Sequence, residues 1–338
     1  MLADGLEKVA QGEDLSHEEM AGVIGAIVGG ESSPAQVAGF LVGLRVKGET
    51  VEELAGAAAT FRRLAVAVPA NDRPRLCTAG TGGDRKGTLN LSTAAALVAA
   101  AAGVTVAKHG NRSVSSKCGS ADLLEALGIP IGLDPDGAAA ALGSAGFAFL
   151  FAPNYHPAMK SVAPIRRDLA VRTLFNLLGP LTNPARVTAQ LVGVYDPAKM
   201  SLMASVLASL DVERALVVSA VCGLDEISPE GETRVVEMAG GVQRDYVVVP
   251  EDFGLRSVPL DTIRGGSPEE NAATLKAVLE GAHHPARTGV LLNAAAALYA
   301  AGAVDSLRGG AALAAETIAS GRVGALIAGL AAPERSAA

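Results

Sequence analysis

The chain has 338 residues, 49% of them hydrophobic, and a net charge of −7. That length exceeds an ordinary single domain, and the apolar fraction supplies a large packed core, which excludes a disordered chain. With no lysine- or arginine-rich run, no tryptophan and few aromatic residues, the chain lacks the basic face and stacking surface of a nucleic-acid binder.

Cys77, Cys118 and Cys222 stand far apart, without zinc-site or thioredoxin spacing, which fits a reducing, cytoplasmic compartment. The N-terminus lacks a charged segment followed by an apolar one, so no signal peptide is read there. The longest apolar run, residues 94–107, is interrupted by Gly103 and Thr105. It falls short of the roughly 20 residues that a bilayer span needs, so no membrane partner is expected.

The first 65 or so residues read as short helices. Ser16 with Glu19, Ser33-Pro34 with Gln36, and Thr50 with Glu53 are three helix-start signals, and Gly29-Gly30 and Gly48 are stops. Met20, Val23, Ile24, Ile27 and Val28 recur at helical spacing and predict a buried face. Residues 66–74, with two prolines, read as a linker. Strand-like and helix-like text then alternates. Strands are expected at residues 76–79, 104–108, 147–151, 190–195 and 215–219, with helices between them, including residues 93–102 and 121–127. This pattern predicts an α/β domain built on a largely parallel sheet. Val235 to Met238 and Val242 to Val248, around Ala239-Gly240-Gly241, predict an antiparallel hairpin. The last 70 residues read as alanine-rich helices, one starting at Ser267-Pro268, with a frayed end over residues 331–338. The expected division is a small helical domain, residues 1–68, and a larger α/β domain, residues 74–338.

Gly80-Thr81-Gly82-Gly83-Asp84 follows a predicted strand and precedes a helix whose expected cap is Ser92. Glycines let backbone N–H groups turn inward as an anion nest, and a helix N-terminus adds free donors and a positive dipole end. The glycines alone fit an ordinary turn equally well. Asn90, Ser92 and Thr93 beside them favour a phosphate or pyrophosphate site. Lys108 to Ser120 follows the second strand and is dense in donors. In parallel sheets such loops form the ligand crevice, so both loops should face one cleft. The alternative for this segment is a solvated loop. Asp225-Glu226, after the strand at 215–219, can hold Mg²⁺ against a substrate pyrophosphate, although exposed acid pairs are usually only solvated. Arg166, in Pro164-Ile165-Arg166-Arg167-Asp168, can grip a carboxylate in a fork, or else serve in a surface Arg–Asp pair.

Together these segments resemble the anthranilate phosphoribosyltransferases. The similarity runs from about Gly80 to Asn293. It includes the Gly80 loop, the Asn90 and Lys108 segments, Phe149-Leu150-Phe151-Ala152-Pro153, residues 173–184 and Gly223-Leu224-Asp225-Glu226. The resemblance implies a homodimer acting in tryptophan biosynthesis, with the small helical domain completed by residues 172–183. It implies phosphoribosyl pyrophosphate contacts from Gly80, Gly83, Asp84, Thr88, Asn90, Leu91, Ser92, Thr93, Lys108, His109, Gly110, Asn111, Arg112, Ser113, Val114, Ser115, Ser116 and Ser120. Anthranilate contacts fall on Gly80, Asn111 and Arg166, with His109 and His156 as secondary candidates. Ser92, Asp225 and Glu226 are implied ligands of Mg²⁺, as two ions. No residue is assigned as a catalytic acid or base.

Four positions depart from the family pattern. Arg85 stands where glycine is usual, Cys77 where aspartate is common and Cys118 where serine is common. Ser219-Ala220-Val221-Cys222 replaces a stretch that usually begins His-Gly, which puts the geometry of the following acids in question. A pyrimidine nucleoside phosphorylase is the rival enzyme, and a non-catalytic nucleic-acid-binding paralogue the rival of another class. The retained Asn111 and Arg166 and the acidic charge weigh against the second.

Overall fold

The computed structural model describes residues 1–69, 75–113 and 117–332. Four helices open the chain: α1 (Leu2–Ala10), α2 (His17–Val28), α3 (Pro34–Lys47) and α4 (Val51–Leu64). Each of the three start signals forms a reciprocal capping box, Ser16 with Glu19, Ser33 with Gln36 and Thr50 with Glu53. Such a cap contributes about 1 kcal/mol by satisfying first-turn N–H groups that the helix itself leaves unpaired. Met20, Val23, Ile24 and Ile27 are buried as their spacing requires, while Val28 packs partly buried against the same cluster.

The α/β region then follows: β1 (Arg75–Gly80), α5 (Leu91–Ala101), β2 (Thr105–Gly110), α6 (Ser120–Ala126), α7 (Pro135–Ala145) and β3 (Phe147–Phe151). Next come α8 (Ala152–Tyr155), α9 (Ala163–Leu169), α10 (Phe175–Leu181), β4 (Ala189–Gly193), α11 (Met200–Ser209) and β5 (Arg214–Ala220). A hairpin, β6 (Thr233–Ala239) with β7 (Val242–Val248), precedes α12 (Pro268–Leu279), α13 (Arg287–Ala300), α14 (Leu307–Ala319) and α15 (Arg322–Ala331). Of the predicted frayed end, Ala331 closes α15, and residues 333–338 lie outside the described residues.

The strands form one sheet in the order β3-β2-β1-β4-β5-β6-β7. β1 to β5 run parallel, and β6 and β7 complete the edge antiparallel. Helices cover both faces, and strand side chains alternate between them. On β5, Leu216, Val218 and Ala220 join the layer of α5 and α13, while Ala215 and Val217 face α11 and the N-terminal helices. A strand buried on both faces reads as a continuous apolar run. α5 and α13 are buried around almost their whole circumference, which accounts for their alanine-rich text. From α10, Phe175, Leu177, Leu178 and Leu181 share one apolar cluster with α1 to α4. Among the described residues no single helix is long and apolar enough to cross a membrane, and α14 with α15 meets that test only as a pair bent by 63°.

One local expectation is corrected. α5 is capped from Asn90, two residues before the expected Ser92, and Ser92 lies inside the first turn. The Asn90 carbonyl accepts from Thr93 and Ala94, while its side chain is taken up by the Cys118 carbonyl and by Asn271. The Ser92 N–H is therefore a first-turn donor without a helical acceptor.

Candidate active site at the carboxyl end of the parallel strands

β1 is the switch point of the sheet. The chain moves outward from it through β2 to β3, then returns to place β4 on its other side. The loops after β1 and β2 leave neighbouring parallel strands and so emerge at the same end of the sheet. Between the ends of β1 and β4 lies a cavity of about 170 Å³ lined by Gly80, Gly82, Ser92, Ser120, Gly193, Asp225, Glu226 and Asn293, with Ala79, Leu191 and Val218 at its base.

The glycine loop bends through left-handed backbone at Gly82 (φ 64°) and Gly83 (φ 81°). Thr81 N–H donates to the Gly193 carbonyl at 2.8 Å, and Gly82 N–H donates to Asp225 Oδ2 at 2.9 Å. On the opposite wall Ser92 N–H donates to Glu226 Oε1 at 2.9 Å. The acid pair thus joins the glycine loop to the N-terminus of α5. Both acids are partly buried. Burial, with the Asp84 charge next, pushes Asp225 up to about 7. Burial, with Asp225 next, holds Glu226 well above the usual carboxylate range.

Crowded carboxylates with raised pKa are suited to a hard divalent cation. Among the described residues no group of three acidic, histidine or cysteine side chains converges as a complete metal site. Mg²⁺ is usually held by one or two carboxylates with waters and substrate phosphates, and Asp225 and Glu226 are the carboxylates that line this cavity. The Ser92 hydroxyl stands beside the pair, 3.4 Å from Lys108 Nζ.

Lys108 is wholly buried under the cavity. Its ammonium donates to the Thr78 carbonyl at 2.6 Å, and burial pulls its pKa down to about 8. Asn90, Leu91 and Thr93 lie at or in the start of α5. Leu91 points into the core and Thr93 is fully enclosed, so in this state Leu91 presents only backbone and Thr93 reaches no open cavity. Thr88 pairs with Arg264, and Leu89 N–H donates to the Ile263 carbonyl, so a segment before α12 holds the outer part of the loop.

The segment after β2 is closed at its neck. Asp122 accepts from the Ser113 and Gly119 N–H groups, and a Cβ on Gly119 would lie 2.3 Å from Ser113 N. Gly110 and Asn111 open this segment. Arg112 forks onto Glu125 and also pairs with Asp122. Val114, Ser115 and Ser116 lie outside the described residues.

His109 and His156 sit beside one another, ring centroids 5.0 Å apart. Burial keeps both neutral, His109 near 3 and His156 near 4. His109 Nδ1 meets the Gly179 carbonyl at 3.0 Å, so that nitrogen carries the proton. Arg166 on α9 is half-buried over the Phe175 ring at 5.4 Å and has no acidic partner among the described residues. The Arg–Asp surface pair therefore does not form at Arg166.

Several residues at the site were not singled out from the sequence. Asn293 brackets the acid loop, accepting from Ile227 N–H and donating to the Ile227 carbonyl. A Cβ on Gly193 would lie 1.6 Å from the Asp225 carbonyl oxygen, so only glycine lets the acid loop cross the end of β4. Arg172 lies over the Tyr195 ring and donates to the Gly83 carbonyl. An asparagine within apolar helical text was the available signal for Asn293. The others depend on contacts distant in sequence.

Two family models divide the chain. The glycosyl transferase family helical bundle domain matches residues 3–65, and the glycosyl transferase family a/b domain matches residues 73–323. The anthranilate phosphoribosyltransferase of Persephonella marina is 50% identical over 320 residues, 94% of each chain. The crystal structure of the Thermus thermophilus anthranilate phosphoribosyltransferase superposes with a TM-score of 0.92 at 47% identity, covering 97% of this chain and 98% of that one. The Saccharomyces cerevisiae anthranilate phosphoribosyltransferase in complex with PRPP and Mg gives 0.89 at 29% identity, over 97% of this chain and 96% of that one. With half its residues shared over nearly its whole length, the chain belongs to the anthranilate phosphoribosyltransferase family.

Proposed function

We propose that this chain transfers the phosphoribosyl group of phosphoribosyl pyrophosphate to the amine of anthranilate, releasing pyrophosphate, as a step of tryptophan biosynthesis. The observation that carries this reading is the cavity at the β1/β4 switch point, where a glycine loop, a helix N-terminus and two partly buried carboxylates meet.

Displacement at the ribose C1 builds positive charge on the sugar and negative charge on the departing pyrophosphate. With the Thr81, Gly82 and Ser92 N–H groups donating to protein acceptors, the Gly83 and Asp84 N–H groups and the dipole of α5 oppose that negative charge from fixed positions, which is where electrostatic catalysis contributes most. Asp225 and Glu226, with Ser92, would hold Mg²⁺ as two ions, and the metal would screen the leaving charge. Arg166 has no acidic partner and offers a fork to the anthranilate carboxylate, with Asn111 and the Gly80 backbone as further contacts. The anthranilate amine is neutral near pH 7, so holding both substrates in line suffices without a strong base. His109 and His156, both kept neutral by burial, are secondary candidates for anthranilate contact.

The contacts expected of Gly80 through Ser120, the division into residues 1–68 with 172–183 and residues 74–338, the homodimer and the cytoplasmic location belong to the same proposal. Anthranilate fluorescence should fall when phosphoribosyl pyrophosphate and Mg²⁺ are added together, and neither addition alone should change it. Phosphorolysis of thymidine or uridine by the chain, with no change in anthranilate fluorescence, would replace this reading. Light scattering of the purified protein reports the dimer.

A further inference from the structure

Arg172 lies outside the loops read as ligand contacts, yet it joins three parts of the molecule. Its Nη2 donates to the Gly83 carbonyl, and its guanidinium lies 3.4 Å from the centroid of the Tyr195 ring. Its own carbonyl accepts from Arg45 Nη1 on α3. Tyr195 is tied to the same loop, since its N–H donates to Thr81 Oγ1 at 3.3 Å. A Cβ on Gly83 would sit 2.5 Å from Arg172 Nη2, so glycine there leaves room for the arginine.

The consequence concerns the direction of one peptide. In a trans peptide the C=O and N–H point opposite ways. A donor that fixes the Gly83 carbonyl therefore also fixes the direction of the Asp84 N–H. Glycine backbone moves between conformations with little steric resistance, so a loop with left-handed Gly82 and Gly83 has weak intrinsic preference for one peptide orientation. A charged donor that is itself stacked on an aromatic ring supplies that preference. We propose that Arg172 is a positioning residue that sets the Gly83–Asp84 peptide for pyrophosphate binding and links that setting to the N-terminal helices through Arg45. This rests on the reading of the glycine loop as the phosphoribosyl pyrophosphate site.

The test compares wild type, Arg172→Ala, Arg172→Lys and Arg45→Ala as full-length proteins. Calorimetric titration with phosphoribosyl pyrophosphate and Mg²⁺ is run beside steady-state kinetics. Arg172→Ala should weaken binding, and raise KM for phosphoribosyl pyrophosphate, about tenfold or more, the scale of one lost charged hydrogen bond. KM for anthranilate should stay within about twofold, since Arg172 makes none of the contacts assigned to anthranilate. Arg172→Lys keeps the charge but loses the planar fork and should fall between; it also carries the test if the alanine variant does not fold. Arg45→Ala should show a smaller loss of the same kind. Millimolar guanidinium should restore part of the affinity lost in Arg172→Ala. Wild-type binding by Arg172→Ala, or equal loss of both substrates without rescue, overturns the proposal. A wild-type protein that binds no phosphoribosyl pyrophosphate sinks the site reading instead.

Discussion

Replacing Asp225 with Asn and Glu226 with Gln should move activity and metal-free stability in opposite directions. Burial, and behind it the Asp84 charge, raises Asp225 from 3.8 to about 7, and Glu226 is raised with it. At about 1.4 kcal/mol per pKa unit, ionised Asp225 opposes folding by on the order of a few kcal/mol when no cation is bound. Below pH 4 the carboxyl is protonated in both the folded and unfolded states, and the penalty is absent. Between about pH 4 and 7 the unfolded chain releases the proton while the fold retains it, so stability falls as pH rises, and above 7 the loss is complete. The double amide variant removes this dependence. In chelator at pH 8 it should melt above the wild type, and at pH 4 the two should converge. Added Mg²⁺ should raise the wild-type Tm through binding, leave the variant's Tm unmoved, and support turnover by the wild type alone. Calorimetric melting across pH with and without Mg²⁺, beside an Mg²⁺ titration of activity, reads all of this. A variant that melts below the wild type in chelator at pH 8, or unchanged Mg²⁺-dependent kinetics, refutes the reasoning.

Arg166→Ala should raise KM for anthranilate about tenfold or more, the loss of one charged fork, with KM for phosphoribosyl pyrophosphate unchanged; equal loss of both counts against the assignment. Gly193→Ala places a methyl 1.6 Å from the Asp225 carbonyl oxygen, so the acid loop must shift. Reduced Mg²⁺ affinity and a lower Tm are expected, and wild-type values for both would exclude the close approach. Arg85 holds a left-handed φ of 58°. Arg85→Gly should stabilise by about 0.5 kcal/mol, and Arg85→Val should destabilise by about 1–2 kcal/mol, since branched side chains fit that backbone worst. The ranking of the two variants in urea melts decides it.

The fold was legible where local chemistry and burial agree. Ser16, Ser33, Thr50 and Ser267 each announce a helix because a side-chain oxygen three residues before a backbone N–H closes the same ring in any context. Asn90 gave no such reading. Its side chain is spent on Cys118 and Asn271, a partner 181 residues away, and α5 begins without the side-chain cap that marks those four helices. The 215–219 strand was legible as an apolar run. That its two faces serve different helical layers follows only from the position of β5 inside the sheet.

At the site, the residues that supply donors and charges could be read, and those that make room or set direction could not. Gly80, Ser92, Asp225 and Glu226, all singled out from the sequence, line one cavity. Gly193 looks like any strand-ending glycine until the Asp225 backbone crosses it. The departures from the family pattern divide on the same physical ground. Arg85 occupies a left-handed position where glycine is at ease, so its effect is carried by the backbone and is felt locally. The residues in place of His-Gly leave the acid turn closed, because Ala220 N–H donates to the Leu224 carbonyl at 2.9 Å and Gly223 N–H to the Ala220 carbonyl at 2.8 Å. Main-chain bonds of that kind tolerate a change of side chain at 219–222, provided that Gly223, at φ 86°, stays glycine. The placement of Asp225 therefore depends on Gly223 and Gly193 more than on the four residues that differ.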